Sequence, residues 1–127
     1  MATILLAAAL GIMLFSSAVL APTIFSRLGA EAAKPLLRAF WPRYYAVNGA
    51  LAAAAAAISA PGYVALLAGS VALLMGASLL ATPALNLARD QGRHQAFVLG
   101  HRALVAVNLF ALLTLAWALW QGLAPHA

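Results

Sequence analysis

Three polar side chains of the last apolar stretch, His94, His101 and Asn108, stand seven residues apart. Seven residues are nearly two helical turns, with a drift of only about 20° per step. On a helix all three share one face, expected to look into a bundle. An imidazole can ligate a haem iron, relay protons or hydrogen-bond a neutral amide. Three readings of His101 therefore stay open. It fixes helix register by bonding Asn48, Asn86 or Tyr45; it is an axial haem ligand, which makes it the candidate metal-binding residue; or it relays protons in a transport path. A paired-histidine haem site lacks its second member, because His94 stands about 10 Å away along the same helix and His126 lies near the chain end. Haem would need a second ligand other than histidine, or a second copy of the chain.

The remaining polar groups gather with these: Arg43, Tyr44, Tyr45 and Asn48; then Asn86, Arg89 and Asp90; then Arg102. The candidate polar site comprises His101, Asn108, Asn48, Asn86, Tyr45, Arg43 and Asp90. Asp90 is read either as a charge-paired loop residue or as the group that holds Arg43 or Arg102 in a vestibule. An unpaired Arg102 would snorkel to lipid phosphates. No nucleotide-binding loop, HExxH helix, carboxylate pair or Ser/His/Asp set is present. Glu31 and Asp90, the two acidic residues, fall in different connecting segments and cannot supply a paired-carboxylate mechanism. No catalytic residue is expected, and an enzyme acting alone is not.

The elements that must carry these groups follow from hydropathy. The chain has 127 residues, 66% of them hydrophobic and 7% charged, with no cysteine. A soluble domain has about a quarter of its residues charged, so these charges cannot coat a wetted surface. The formal charge of +5 would suit nucleic acid only on a basic, wettable face; here the cations punctuate apolar runs, and the expected partner is the lipid bilayer. A helix needs roughly 20 apolar residues to cross about 30 Å of hydrocarbon. Four such runs are read, over residues 2–27, 43–60, 61–88 and 94–121, giving an all-α membrane bundle as one domain across 1–127. The first run has no cationic start and is read as a span, not a cleaved signal. Glu31–Trp41 is left between two readings: a short helix lying on the membrane surface, or a loop broken by Pro35 and Pro42.

Orientation follows from charge. Arg27, Lys34, Arg38 and Arg43 separate the first two runs; Arg89, Arg93 and Arg102 lie between or beside the last two. The link around Ser59-Ala60-Pro61-Gly62 has none. All seven then fall on one side, expected to be cytoplasmic, with both termini on the other. Trp41, Tyr44 and Tyr45 mark the cytoplasmic interface, and Tyr63, Trp117 and Trp120 the opposite one. Helices in lipid associate where small residues let backbones approach; Ala7 and Gly11, Ser17 and Ala21, Ala46, Ala50 and Ala54, and Ala72 and Gly76 are the expected packing positions. Pro22 and Pro83 are expected to bend their helices.

At these residues the chain resembles the family of domain-of-unknown-function membrane proteins typified by transmembrane protein 205. The matching features are Ala21-Pro22-Thr23-Ile24-Phe25, Pro42-Arg43-Tyr44-Tyr45, Asn86, and Phe97, His101 and Asn108. Leu104 departs from the pattern, where a small hydroxyl residue is expected. The resemblance implies a four-span bundle and no established activity. The expected function is a non-enzymatic membrane protein, an accessory subunit or a small-solute or metal-related protein, with a cytoplasm-facing polar site. A haem-binding redox protein using His101, and a scaffold subunit of a larger membrane complex or homo-oligomer, are the alternatives. The expected location is the cytoplasmic membrane of a bacterium.

Overall fold

The computed structural model of the protein describes residues 1–124; His126 lies outside them. All regular structure among the described residues is helical. Helix α1 spans Ala2–Phe15, a π-helical turn covers Ser16–Leu20, α2 spans Ala21–Ile58, α3 Tyr63–Asp90 and α4 His94–Leu123.

Where four separate runs are expected, three continuous helical stretches are long and apolar enough to cross a membrane, the first two runs lying within one of them: Ala2–Ile58 with 57 residues, Tyr63–Asp90 with 28 and His94–Leu123 with 30. The segment expected to leave the helix after residue 27 and re-enter at 43 is itself helical, so Glu31–Trp41 is not a loop. Its helical repeat explains why: Ala33 and Leu37 are buried on the stripe that Tyr44, Tyr45, Asn48, Ala52 and Ala55 continue. Pro35 and Pro42 sit inside this helix without ending it.

The one backbone break in that stretch is Gly29, at φ 73° and ψ 168°. This region is essentially closed to residues with a Cβ, at a cost of about 1–3 kcal/mol. A second glycine with positive φ, Gly92 at 68°, lies in the turn that joins α3 to α4. Ahead of Pro22 the chain widens: the Ala21 N–H donates to the Ser16 carbonyl, five residues back. A proline ring collides with the carbonyl four residues earlier, and a π-turn is one local way to make room.

Helix α1 packs against α2 and α4, α2 against α3, and α3 against α4. The shared core holds Leu6, Ala9 and Met13 of α1, Ala52 and Ala55 of α2, Val71 and Met75 of α3, and Ala111 and Leu115 of α4. Several expected packing positions face outward instead: Ala7, Gly11, Ala46, Ala50 and Ala54 are exposed. Small size alone does not reveal which edge of an alanine-rich helix is used. The close α2–α3 approach runs through Gly49, where an added methyl would stand 3.3 Å from Met75 Cβ. At the far end, a methyl on Gly122 would stand 3.7 Å from Thr3 Oγ1, so α1 begins beside the end of α4. The outer surface is hydrocarbon: Leu66, Leu73 and Leu80 of α3 are 68%, 77% and 82% exposed. A contiguous apolar exterior of this kind belongs against lipid or protein.

Candidate functional site

Membrane-type helices bury few polar groups, so where those groups meet is informative. One meeting point ties three elements. The Tyr44 hydroxyl of α2 donates to Asn108 Oδ1 of α4 at 2.5 Å. Asn108 Nδ2 donates in turn to Ser17 Oγ of the π-turn at 3.3 Å. Tyr44 is buried and belongs to an aromatic group with Phe40, Trp41 and Tyr45, whose ring centroids lie 5.1–6.2 Å apart.

On the side of this junction toward the chain's cations, a cavity of about 590 Å³ opens between all the helical stretches. That volume lies within the roughly 300–1,000 Å³ of small-molecule sites. Asn108, Ser17 and Tyr45 line it, with His101 and Asn86 and the cations Lys34, Arg38 and Arg89; the rest of the wall is mostly hydrocarbon, including Pro22, Phe25, Leu85 and Leu104.

The cations are held differently. Arg38 clasps Asp90 with both guanidinium nitrogens: Nη1 donates to Oδ2 at 3.1 Å and Nη2 pairs with Oδ1. Nη2 also donates to the Asn86 carbonyl at 3.4 Å. A two-pronged pair of this kind is the specific form of a carboxylate–guanidinium contact. The hydrogen bonds from Arg38 hold the Asp90 carboxyl below its ordinary range, and Asp90 raises the Arg38 guanidinium in return. Lys34 stands 3.9 Å from the almost fully exposed Glu31. The Arg89 guanidinium lies 5.0 Å over the Phe97 ring, and Phe97 stacks on His101, centroids 5.8 Å apart and planes at 15°.

Of the expected site residues, His101, Asn108, Asn86 and Tyr45 are thus brought to one cavity. Three are not part of its wall. Asn48 is fully buried and donates to the Tyr44 carbonyl at 2.9 Å, leaving its Oδ1 without a partner. Arg43 turns back to the Ala39 carbonyl of its own helix at 2.5 Å. Asp90 acts on the cavity through Arg38, which corrects the expected pairing with Arg43 or Arg102. His101 makes no hydrogen bond to Asn48, Asn86 or Tyr45 among the described residues; its neighbour is an aromatic ring. His94 is exposed and not in the wall. Ser17, Lys34, Arg38 and Arg89 line the cavity and are absent from the site expected from the sequence. The spacing of Lys34 and Arg38, four apart on one helix face, is the signal that could have found Arg38.

The metal reading of His101 rests on one imidazole. No group of three or more His, Cys, Asp and Glu side chains comes together among the described residues, and no methionine lines the cavity.

A family model described as a domain of unknown function, DUF4149, matches residues 4–127. The match carries the unknown-function part of the resemblance and not the transmembrane-protein-205 naming. No curated protein and no solved structure matches the chain.

Proposed function

The chain belongs to the DUF4149 family, whose description assigns no activity, and from that premise we propose a non-enzymatic, four-span membrane protein that holds a small solute in its cation-rimmed cavity. The single observation that carries the solute-binding half is the convergence of His101, Asn108, Asn86 and Tyr45 on one space of about 590 Å³, in a chain with few other polar side chains.

The four-span half draws on Gly29. Dividing the first helical stretch there gives two segments of about 28 residues, each roughly 40 Å long at 1.5 Å per residue. Each exceeds the roughly 30 Å of hydrocarbon. The packing of α1 on both α2 and α4 supports a fold-back at that point. So does the neighbourhood of Thr3 and Gly122, which favours both termini at the end of the bundle away from the cavity. With seven cations at the cavity end, the positive-inside rule makes that end cytoplasmic, in the cytoplasmic membrane of a bacterium.

Because the chain has no cysteine, single cysteines report topology directly. Ala2→Cys and Ser59→Cys are expected to react with a membrane-impermeant maleimide on intact cells, and Ser26→Cys only after permeabilisation. Labelling of Ser26→Cys on intact cells would end the four-span reading. For the cavity, native mass spectrometry of the purified chain is expected to find a retained small molecule that Ala21→Trp, which fills the space, removes. A chain that retains nothing, or retains it equally in Ala21→Trp, would end the solute-binding reading.

A further inference from the structure

Resting on the solute-binding reading, we propose that the cavity's ligand is an anionic amphiphile. A phosphate-type headgroup sits among Lys34, Arg38 and Arg89, and its hydrocarbon tail lies along Pro22, Phe25 and Leu104.

The charge balance of the wall argues for an anion. Three cationic side chains line the cavity and no carboxylate does. Asp90 neutralises Arg38 from outside the wall, and it has only one fork to offer. The carboxylate nearest to Lys34 is Glu31, 90% exposed and 3.9 Å away, a pair that water largely screens. Arg89 forms no salt bridge among the described residues; its guanidinium rests on an aromatic face. Lys34 and Arg89 are therefore held by a screened, exposed pair and by an aromatic face, with Asp90 acting on both only through space, and each can turn to a ligand. Guanidinium and ammonium groups both suit phosphate, the first by its fork and the second as a point charge. Arg38 Nε is buried without a partner, and Tyr45 makes no side-chain hydrogen bond among the described residues, which leaves further donors beside the same space.

The rest of the wall argues for a tail. Pro22 and Phe25 from the start of α2, Leu85 of α3 and Leu104 of α4 present hydrocarbon to the same cavity. A free inorganic anion would leave these surfaces unused and would have to shed its water beside them, at the cost that attends burying a charge among apolar groups. An amphiphile satisfies both ends at once. The competing account is that these cations merely snorkel to bulk lipid phosphates, as any cation at an interface does. That account treats Arg89 and Arg102 alike, although only Arg89 lines the cavity.

The test uses the full chain in maltoside micelles with Trp117→Phe and Trp120→Phe, so that Trp41, which lines the cavity, is the one remaining tryptophan. Dodecyl phosphate is expected to change Trp41 fluorescence saturably at one equivalent per chain. Arg89→Gln and Lys34→Gln are each expected to weaken it about tenfold, and Arg102→Gln to leave it unchanged. Millimolar inorganic phosphate is expected not to compete. Equal losses in Arg102→Gln and Arg89→Gln would overturn the proposal in favour of snorkelling. Full competition by inorganic phosphate would remove the tail. Binding of dodecanol as tightly as dodecyl phosphate would remove the headgroup and leave the solute-binding reading standing; failure of every probe, with no small molecule retained on purification, would remove both. Circular dichroism of each variant separates a lost site from a lost fold.

Discussion

The Tyr44 hydroxyl and the Asn108 side-chain carbonyl, 64 residues apart in the chain, share a hydrogen bond of 2.5 Å. Asn108 passes the connection on to Ser17, so one amide joins α1's π-turn, α2 and α4. Replacing Asn108 by Leu strands a buried phenolic donor beside the cavity. Interhelical side-chain bonds in membrane proteins are worth about 0.6 kcal/mol on average and up to about 1.7. Asn108→Leu is expected to destabilise by about 1 kcal/mol or more, and Tyr44→Phe by less. Their effects are expected to be non-additive, because each removes the same bond. Reversible unfolding in mixed micelles checks this; strictly additive losses would show that the two residues act independently.

Arg38 and Asp90 bridge α2 and α3 at the cavity rim, and their pairing sets a pH sign. Asp90 is held below the ordinary carboxylate range by the Arg38 hydrogen bonds. The unfolded chain then binds the proton more readily than the folded one. The pair's contribution is present above the usual carboxylate pKa, near pH 4, and is lost as pH falls through the lower folded value. The effect is expected to be shallow, since both side chains reach water and exposed pairs are screened. Asp90→Asn should flatten the acid limb of the stability–pH curve and lower the neutral value by the same small amount, towards the acid plateau. An unaltered acid limb would assign the drop to another group.

The helices and the polar cluster were legible in the sequence for the same reason: hydrocarbon tolerates few polar groups, so their positions carry weight. His101 and Asn108 share a face because seven residues are nearly two turns, and both line one cavity. What was not legible is rotation and partner choice. Asn48 lies only three residues beyond Tyr45, yet that step turns it into the core, away from the cavity wall. Asp90 closes α3 with several cations near it in the sequence, and its selection of Arg38, 52 residues away, depends on how α2 and α3 are turned. Ala46, Ala50 and Ala54 have the same side chain as Ala52 and Ala55, so composition gave no means to tell the exposed edge from the packed one.

Gly29 separates backbone need from side-chain need. Its φ of 73° with ψ 168° lies where a Cβ is disfavoured, and nothing stands within 4 Å of an added methyl. Gly29→Ala is therefore expected to destabilise by about 1–3 kcal/mol through the backbone alone. Gly11 offers the internal comparison. It is helical, exposed and equally open, so Gly11→Ala is expected to stabilise by up to about 1 kcal/mol. The opposite signs of two identical chemical changes are the prediction. A stabilising Gly29→Ala would mean that the chain turns elsewhere.

His101 divides the structural reading from the functional one. It is exposed at the cavity wall, stacks on Phe97 and bonds none of the amides that would make it a register pin. Its removal leaves no buried donor unsatisfied. His101→Ala is expected to change stability by no more than about 0.5 kcal/mol, the range of surface substitutions without such features. Asn108→Leu should cost more in the same assay. Ligand retention should move in the other sense, with His101→Ala weakening whatever the cavity holds while melting normally. A His101→Ala chain that unfolds like Asn108→Leu would make the imidazole part of the scaffold. One that melts normally and retains its ligand undiminished would take His101 out of the site, leaving Asn86, Tyr45 and the cations to carry it.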